Sequence, residues 1–382
     1  MNNPLRNLDQ LIEQEFPINK SIIHLNHAAV APWPTRTTDA VIRFAQENNL
    51  VSSKNFNAWL ESEKHVRELA RSLVGAIHAD DIALVKNTSE GLSMVAHGFP
   101  WQAGDNVVIS AEEFPSNRVV WESLMNKGVE VRRVSLPCPG DVEQALIDAT
   151  DSSTRLLSIS SVQFASGLKT DLQRLGTFCK QRDIAFCVDA IQGLGVFPHD
   201  VSSMHIDFLV ADGHKWLLSP EGLGIFYCAP EWRERLELHE YGWRMLEDPF
   251  DMMKTDWKPV ATAQRFECGT QNSIAIVAME QSLSLLLEIG IDEIWERALE
   301  RTELLFDLVS ANDELQLISC NAEGRYAGIT IFRHKNNSDQ DLYEKLSRNN
   351  VLCAMRGGGI RFSPHFYIPP DSLKKAIEIA VS

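Results

Sequence analysis

Between residues 80 and 230, short runs of Val, Ile, Leu and Phe alternate with amphipathic stretches, and this alternation constrains the fold more than any other feature. The apolar runs are IALVKN (82–87), DNVVIS (105–110), VEVRRVSL (129–136), TRLLSISSV (154–162), IAFCVDAI (184–191), IDFLVAD (206–212) and GIFYC (224–228). Helical stretches such as 89–99, 116–128 and 170–183 lie between them. Nearly continuous apolar strands separated by helices predict an α/β fold, a mainly parallel sheet sandwiched by helices. In such sheets ligands collect beyond the carboxyl ends of the strands. The polar residues that end each run are therefore the candidates for chemistry.

After about 265 the pattern changes. Helical segments at 273–290 and 291–310 precede strand-like 315–319 and 328–334, a helix near 338–349 and a last helix from Pro369. These describe a smaller α+β domain. The expected division is 21–265 for the large α/β domain and 266–382, with 1–20, for the small one; 382 residues suit two such units. The stretch 230–265 is irregular and aromatic, as a linker or active-site loop would be.

A net charge of −16 argues against nucleic acid or an anionic membrane surface as a partner. No apolar run approaches a membrane span and no basic-then-apolar leader opens the chain, so the cytoplasm is the expected location. Seven cysteines without a Cys-x-x-Cys spacing suggest a reducing compartment with mostly buried thiols, not a disulfide frame or a metal site.

The run IAFCV ends at Asp189. A carboxylate just past a buried strand either caps a turn or needs a cation, and a protonated pyridine nitrogen is such a cation. The next run ends in Asp212-Gly213-His214-Lys215-Trp216. A lysine half buried among aromatic side chains has a depressed pKa, and its neutral amine can attack an aldehyde. A solvated strand-end lysine would do neither, and His214 reads equally as a core histidine. Asn87-Thr88-Ser89-Glu90-Gly91 offers helix-start N–H groups and hydroxyls to a phosphate, or is simply a capped helix start. Phe114 can stack on a flat ring or pack the domain. Arg361, between a glycine run and a Pro-bearing loop, can clamp a carboxylate or form a surface ion pair. Taken together, these residues supply a phosphate cup, a ring face, a partner for a ring nitrogen, an amine and a carboxylate clamp. Neither a P-loop nor a dinucleotide-binding glycine motif accompanies them.

On VDAIQ (188–192) and DFLVADGHKW (207–216), supported by NTSEGL (87–92) and RFECGTQN (265–272), the chain resembles the class V aminotransferase family of fold-type I pyridoxal-phosphate enzymes. That family includes cysteine desulfurases and isopenicillin N epimerase-like proteins, and the likeness runs from 24–32 to 361–367. It implies pyridoxal 5′-phosphate as cofactor and an amino acid as substrate. Lys215 would form the internal aldimine and later shuttle the α-proton, and Asp189 would pair with the pyridine nitrogen. Gln192 would contact the phenolic oxygen, Phe114 would stack on the ring, and Thr88, Ser89 and His214 would hold the phosphate. Thr270 would reach the phosphate of a neighbouring subunit, which implies a homodimer. Arg361 would bind the substrate carboxylate, with Asn26, His27 and Gln163 on the substrate side.

Three departures stand out. Asp212 replaces a small hydroxyl residue near the phosphate, which suggests that it points elsewhere or pairs with a cation. Phe164 occupies the place of a ring-contacting asparagine, with Gln163 as a substitute. The cysteine-bearing loop of the desulfurases is missing, since 355–361 passes almost directly from one arginine to the next. Cys353, expected in a strand, reads as a buried thiol. Persulfide chemistry is therefore not expected; the family label favours amino transfer, with epimerisation or β-elimination (C–S or C–X) as the alternative. A cofactor-binding homologue without turnover is less favoured, because pure binding has no use for the nucleophile.

Overall fold

The computed structural model describes residues 4–382. Its strands are β1 (Ile23–His24), β2 (Ile82–Val85), β3 (Asn106–Ser110), β4 (Glu130–Val134), β5 (Thr154–Ser160), β6 (Ala185–Asp189), β7 (Phe208–Asp212), β8 (Gly224–Cys228), β9 (Leu315–Leu317), β10 (Thr330–His334), β11 (Val351–Leu352), β12 (Ala354–Arg356) and β13 (Gly359–Phe362). Seven of them form the central sheet in the order β2-β8-β7-β6-β5-β3-β4. Only β8 runs antiparallel to its neighbours. The sheet is mainly parallel and flanked by helices, as in fold-type I enzymes, and all seven expected strands are present. Every residue of β2, β3, β6, β7 and β8 is buried, which explains why their sequences run apolar without alternation. The edge strand β4 is the exception. It is only partly covered and carries Glu130, Arg132 and Arg133, charges that discourage edge-to-edge pairing.

A second, antiparallel sheet has the order β12-β13-β10-β9. Arg361 lies in its inner strand β13, opposite Ile331 and Ala354, just after the glycine run. Gly357 and Gly358, at φ 65° and 79°, make the turn between β12 and β13. A Cβ on Gly357 would stand 2.0 Å from the Ala165 carbonyl oxygen, so the turn needs glycine there on two counts. Cys353 falls between β11 and β12, buried but outside a strand.

The helix Ser273–Ile289 is capped by Asn272, whose side chain accepts from the Ala275 N–H. It packs along the helices Thr35–Val51 and Phe56–Val74, and the Ser282 hydroxyl meets Thr37 Oγ1 at 2.8 Å. This helix, assigned from sequence to the small domain, thus rests on elements of the large one. Among the described residues no single helix is long and apolar enough to cross a membrane.

One cysteine pairing was not expected from the sequence. Cys138, in the loop after β4, is disulfide-bonded to Cys320, just past β9, with 6.0 Å between their Cα atoms. A separation of 182 residues hides that proximity from any reading of spacing. Of the other cysteines, Cys179, Cys187, Cys228 and Cys353 are buried and Cys268 is partly exposed. Beside the disulfide, Arg325 donates both terminal nitrogens to the Glu143 carboxylate at 2.6 Å each. Thiol titration of the denatured, unreduced protein is expected to find five thiols. Prior reduction should raise the count to seven. A count of seven without reduction would exclude the cross-link.

Candidate active site

The carboxyl ends of β3, β5, β6 and β7 open into one cavity of about 360 Å³. Its walls include Thr88, Ser89, Phe114, Asp189, Gln192, His214, Lys215 and Arg361, residues that sequence reasoning had drawn from five separate segments.

Lys215 follows β7 and is 9% exposed. Burial lowers its pKa to about 8, against the opposing pull of Asp189, and Arg361 lowers it further. Its Nζ lies 5.6 Å from the centroid of the Phe114 ring. Asp189 ends β6 and is 1% exposed. Among the described residues its only hydrogen-bond donor is the Ile191 N–H, at 3.1 Å. Burial pushes its carboxyl up to about 6. A buried carboxylate so thinly solvated calls for a cation.

The helix Thr88–Gly98 brings its first turn to the cavity. Asn87 caps it by accepting from the Glu90 N–H, which leaves the N–H groups of Thr88 and Ser89 without intrahelical acceptors. The helix can approach the sheet because position 91 is glycine: a Cβ there would lie 2.6 Å from Val210 Cγ1 in β7. Thr88 Oγ1 accepts from the Asp212 N–H at 3.1 Å, and Ser89 donates to Ser116 Oγ at 2.7 Å. Ser116 also lines the cavity and was not among the expected site residues. Asp212 lies 3.0 Å from His214 Nδ1, in ion-pair range but out of hydrogen-bonding alignment, so the anion near the cup has a cationic neighbour when His214 is protonated.

Gln192 lines the cavity and is held at both ends. Its amide donates to the Ala28 carbonyl at 3.0 Å, and its oxygen accepts from Trp216 Nε1 at 2.9 Å. Arg361 is 3% exposed and donates to the Phe164 carbonyl at 2.9 Å, while its Nε has no partner. No carboxylate pairs with it among the described residues. Burial and nearby Arg356 lower its pKa to about 10. Arg356 and Phe164, also on the cavity wall, were not among the expected site residues.

Four expected residues stand off the cavity. His27 is fully buried, with Nδ1 at 2.8 Å from the Ser363 carbonyl and Nε2 against the Tyr367 hydroxyl, and Ala28 and Ala29 form the wall in front of it. Asn26 pairs through its backbone with Ser363 behind the same wall. Gln163 is fully buried and donates to Glu113 at 2.8 Å, so it braces the site from outside. Thr270 is exposed in an adjacent groove with Lys86, Glu240 and Cys268.

The family model for class V aminotransferases matches residues 23–363. The chain belongs to the class V aminotransferase family. Among its relatives, a probable cysteine desulfurase of Methanothermobacter thermautotrophicus is 28% identical over 95% of both chains. A cysteine desulfurase of Salmonella typhimurium is 28% identical over 77% of this chain and 76% of the other. In fold, the chain is similar to the apo cysteine desulfurase of Thermococcus onnurineus (TM-score 0.87, 20% identity, 99% and 97% of the two chains). It is also similar to the cystine C–S lyase C-DES in complex with its product cysteine persulfide (TM-score 0.88, 19% identity, 96% and 99%).

Pyridoxal phosphate is the cofactor of this class V enzyme, and the cavity's own features fit it. Phe114 is 41% exposed and lines the cavity, which leaves its ring able to meet a flat ligand. The under-solvated Asp189 matches a pyridinium, the free helix-start N–H groups match a phosphate, and the buried amine matches an aldehyde. With a pKa near 8, Lys215 is about one-tenth neutral at pH 7 and half neutral at pH 8. The rate at which cofactor-free protein takes up pyridoxal phosphate is therefore expected to rise about fivefold from pH 7 to 8 and level off above pH 9. A rate that keeps climbing tenfold per unit beyond pH 9 would indicate an ordinary, solvated lysine.

Proposed function

We propose that this class V enzyme is a β-eliminating C–S lyase that acts on a cysteine-type amino acid and releases the sulfur compound into solution. The observation that carries this reading is the Gly357–Gly358 turn between Arg356 and Arg361. Among the described residues no cysteine lines the cavity, so sulfur has no thiol there to move to. The names of the relatives support C–S chemistry over the amino transfer that the sequence alone favoured.

Pyridoxal phosphate, when bound, supplies an electron sink for the bonds at the substrate α-carbon. The chain's residues account for the rest. Arg361 orients the substrate by its carboxylate. The Lys215 amine would take the α-proton. Asp189 keeps positive charge at the ring nitrogen. Phe114 covers the ring without offering the leaving sulfur a proton, so a group that departs readily as an anion is preferred, a disulfide-linked sulfur above a plain thiol. For a cystine-like substrate the balance is one water consumed and one persulfide, one oxo acid and one ammonia formed. Thr270, exposed beside the site, and the exposed Met252, Met253 and Trp257 support a homodimer in which a second copy completes the phosphate site. Light scattering that finds a monomer would remove that feature.

The test is a spectral and product screen with L-cystine, L-cysteine and L-alanine. Oxo acid and released sulfur in equal amounts, with the starting spectrum restored, are expected for cystine. Conversion to the pyridoxamine form without sulfur release would establish amino transfer instead, and racemised substrate without oxo acid would establish epimerisation.

A further inference from the structure

Glu113 lies three residues beyond β3, beside Phe114, and has no part in the chemistry described above. Its carboxylate is 4% exposed and is met by three donors from a different strand end: the Ser160 N–H at 2.8 Å, the Ser160 hydroxyl, and the Gln163 amide at 2.8 Å. One residue after Gln163, the Phe164 ring stands edge-on to Phe114, with 5.1 Å between centroids. The Phe164 carbonyl in turn accepts from Arg361. The ring face for the cofactor and the clamp for the substrate therefore share one support, and Glu113 is the group that ties its two halves.

We propose that Glu113 is a positioning residue that sets the Phe114 ring face and the Arg361 guanidinium as one unit, through Gln163 and Phe164. A side chain kept only for packing would not need three donors converging on it. Burial and the nearby Asp189 carboxylate push this carboxyl up to about 7 even against its three donors, so holding it here has a cost that packing alone does not explain. Gln163 is part of this brace, which accounts for its burial behind the cavity wall.

The inference rests on Arg361 as the carboxylate clamp, and the test separates the two ideas. Cofactor-loaded protein is titrated with L-alanine, which has no leaving group, and with L-alaninamide, which has no carboxylate. The visible circular dichroism of the bound cofactor reports the seating of its ring. Wild-type protein is expected to prefer L-alanine. Glu113→Ala should lower the dichroic band by half or more and weaken L-alanine by about tenfold, with L-alaninamide changed less than twofold. Glu113→Gln can still accept from the Ser160 N–H and from Gln163 and can donate to the Ser160 hydroxyl, so it should restore both readings to within about twofold of wild type.

No preference for L-alanine in the wild type would sink the clamp itself. A wild-type preference left untouched by Glu113→Ala, equal weakening of both ligands, or a glutamine variant as impaired as alanine would overturn the role of Glu113 alone. Should Glu113→Ala not fold, Gln163→Leu removes one of the three contacts and is expected to weaken L-alanine selectively. An unchanged dissociation constant there would overturn the proposal equally.

Discussion

Lys215→Ala is expected to yield a folded protein that stays colourless in pyridoxal phosphate and loses turnover by on the order of 10³-fold or more. Two losses combine in that figure. The buried amine that captures the cofactor aldehyde is gone, and among the described residues so is the one lysine on the cavity wall that can take the α-proton. The fold should survive, because the Lys215 amine makes no hydrogen bond or ion pair among the described residues and burial destabilises its charged form. Absorbance above 400 nm and a coupled oxo-acid assay check both parts. A yellow, active alanine variant would show that the amine lies elsewhere, and the site described here would be wrong.

Asp189→Ala is expected to retain some cofactor through the phosphate cup while turnover falls by on the order of 10²–10³-fold. Without a carboxylate at the end of β6 the ring nitrogen loses its proton, and with it the capacity to accept electrons. The same substitution has a second, opposite consequence in the cofactor-free protein. The folded pKa of Asp189, about 6, lies above its ordinary value, so the folded state binds the extra proton. Its contribution to stability is favourable at low pH and is lost as pH rises from about 4 through 6. Cofactor-free wild type should therefore gain less from the alanine change at pH 4 than at pH 7.5, as thermal unfolding will report. An equal gain at both values would mean that Asp189 is already solvated.

Much of this was legible before any coordinates. Strands buried on both faces announce themselves as unbroken apolar runs, and the residues that end them, Asp189 and Lys215, reach the cavity because parallel strands point their carboxyl ends the same way. What stayed hidden depends on who sits beside whom. Glu112-Glu113 reads as a solvated turn until the sheet order puts β3 next to β5 and brings Ser160 within reach. His27 and Asn26 lie one and two residues from a wall of the cavity, yet on its far side, and one-dimensional proximity cannot distinguish the two faces. Arg361 reads as a residue between a glycine run and a Pro-bearing loop, signals that mask a strand paired locally with β12 and non-locally with β10.

The glycine turn between the two arginines bears on kinetics. A protein that parks sulfur on a tethered thiol delivers it by a unimolecular step, at a rate independent of how much acceptor surrounds it. A rim closed by two glycines leaves no such arm. Any onward delivery would then be second order, rising with acceptor concentration and open to competition from every thiol in the medium.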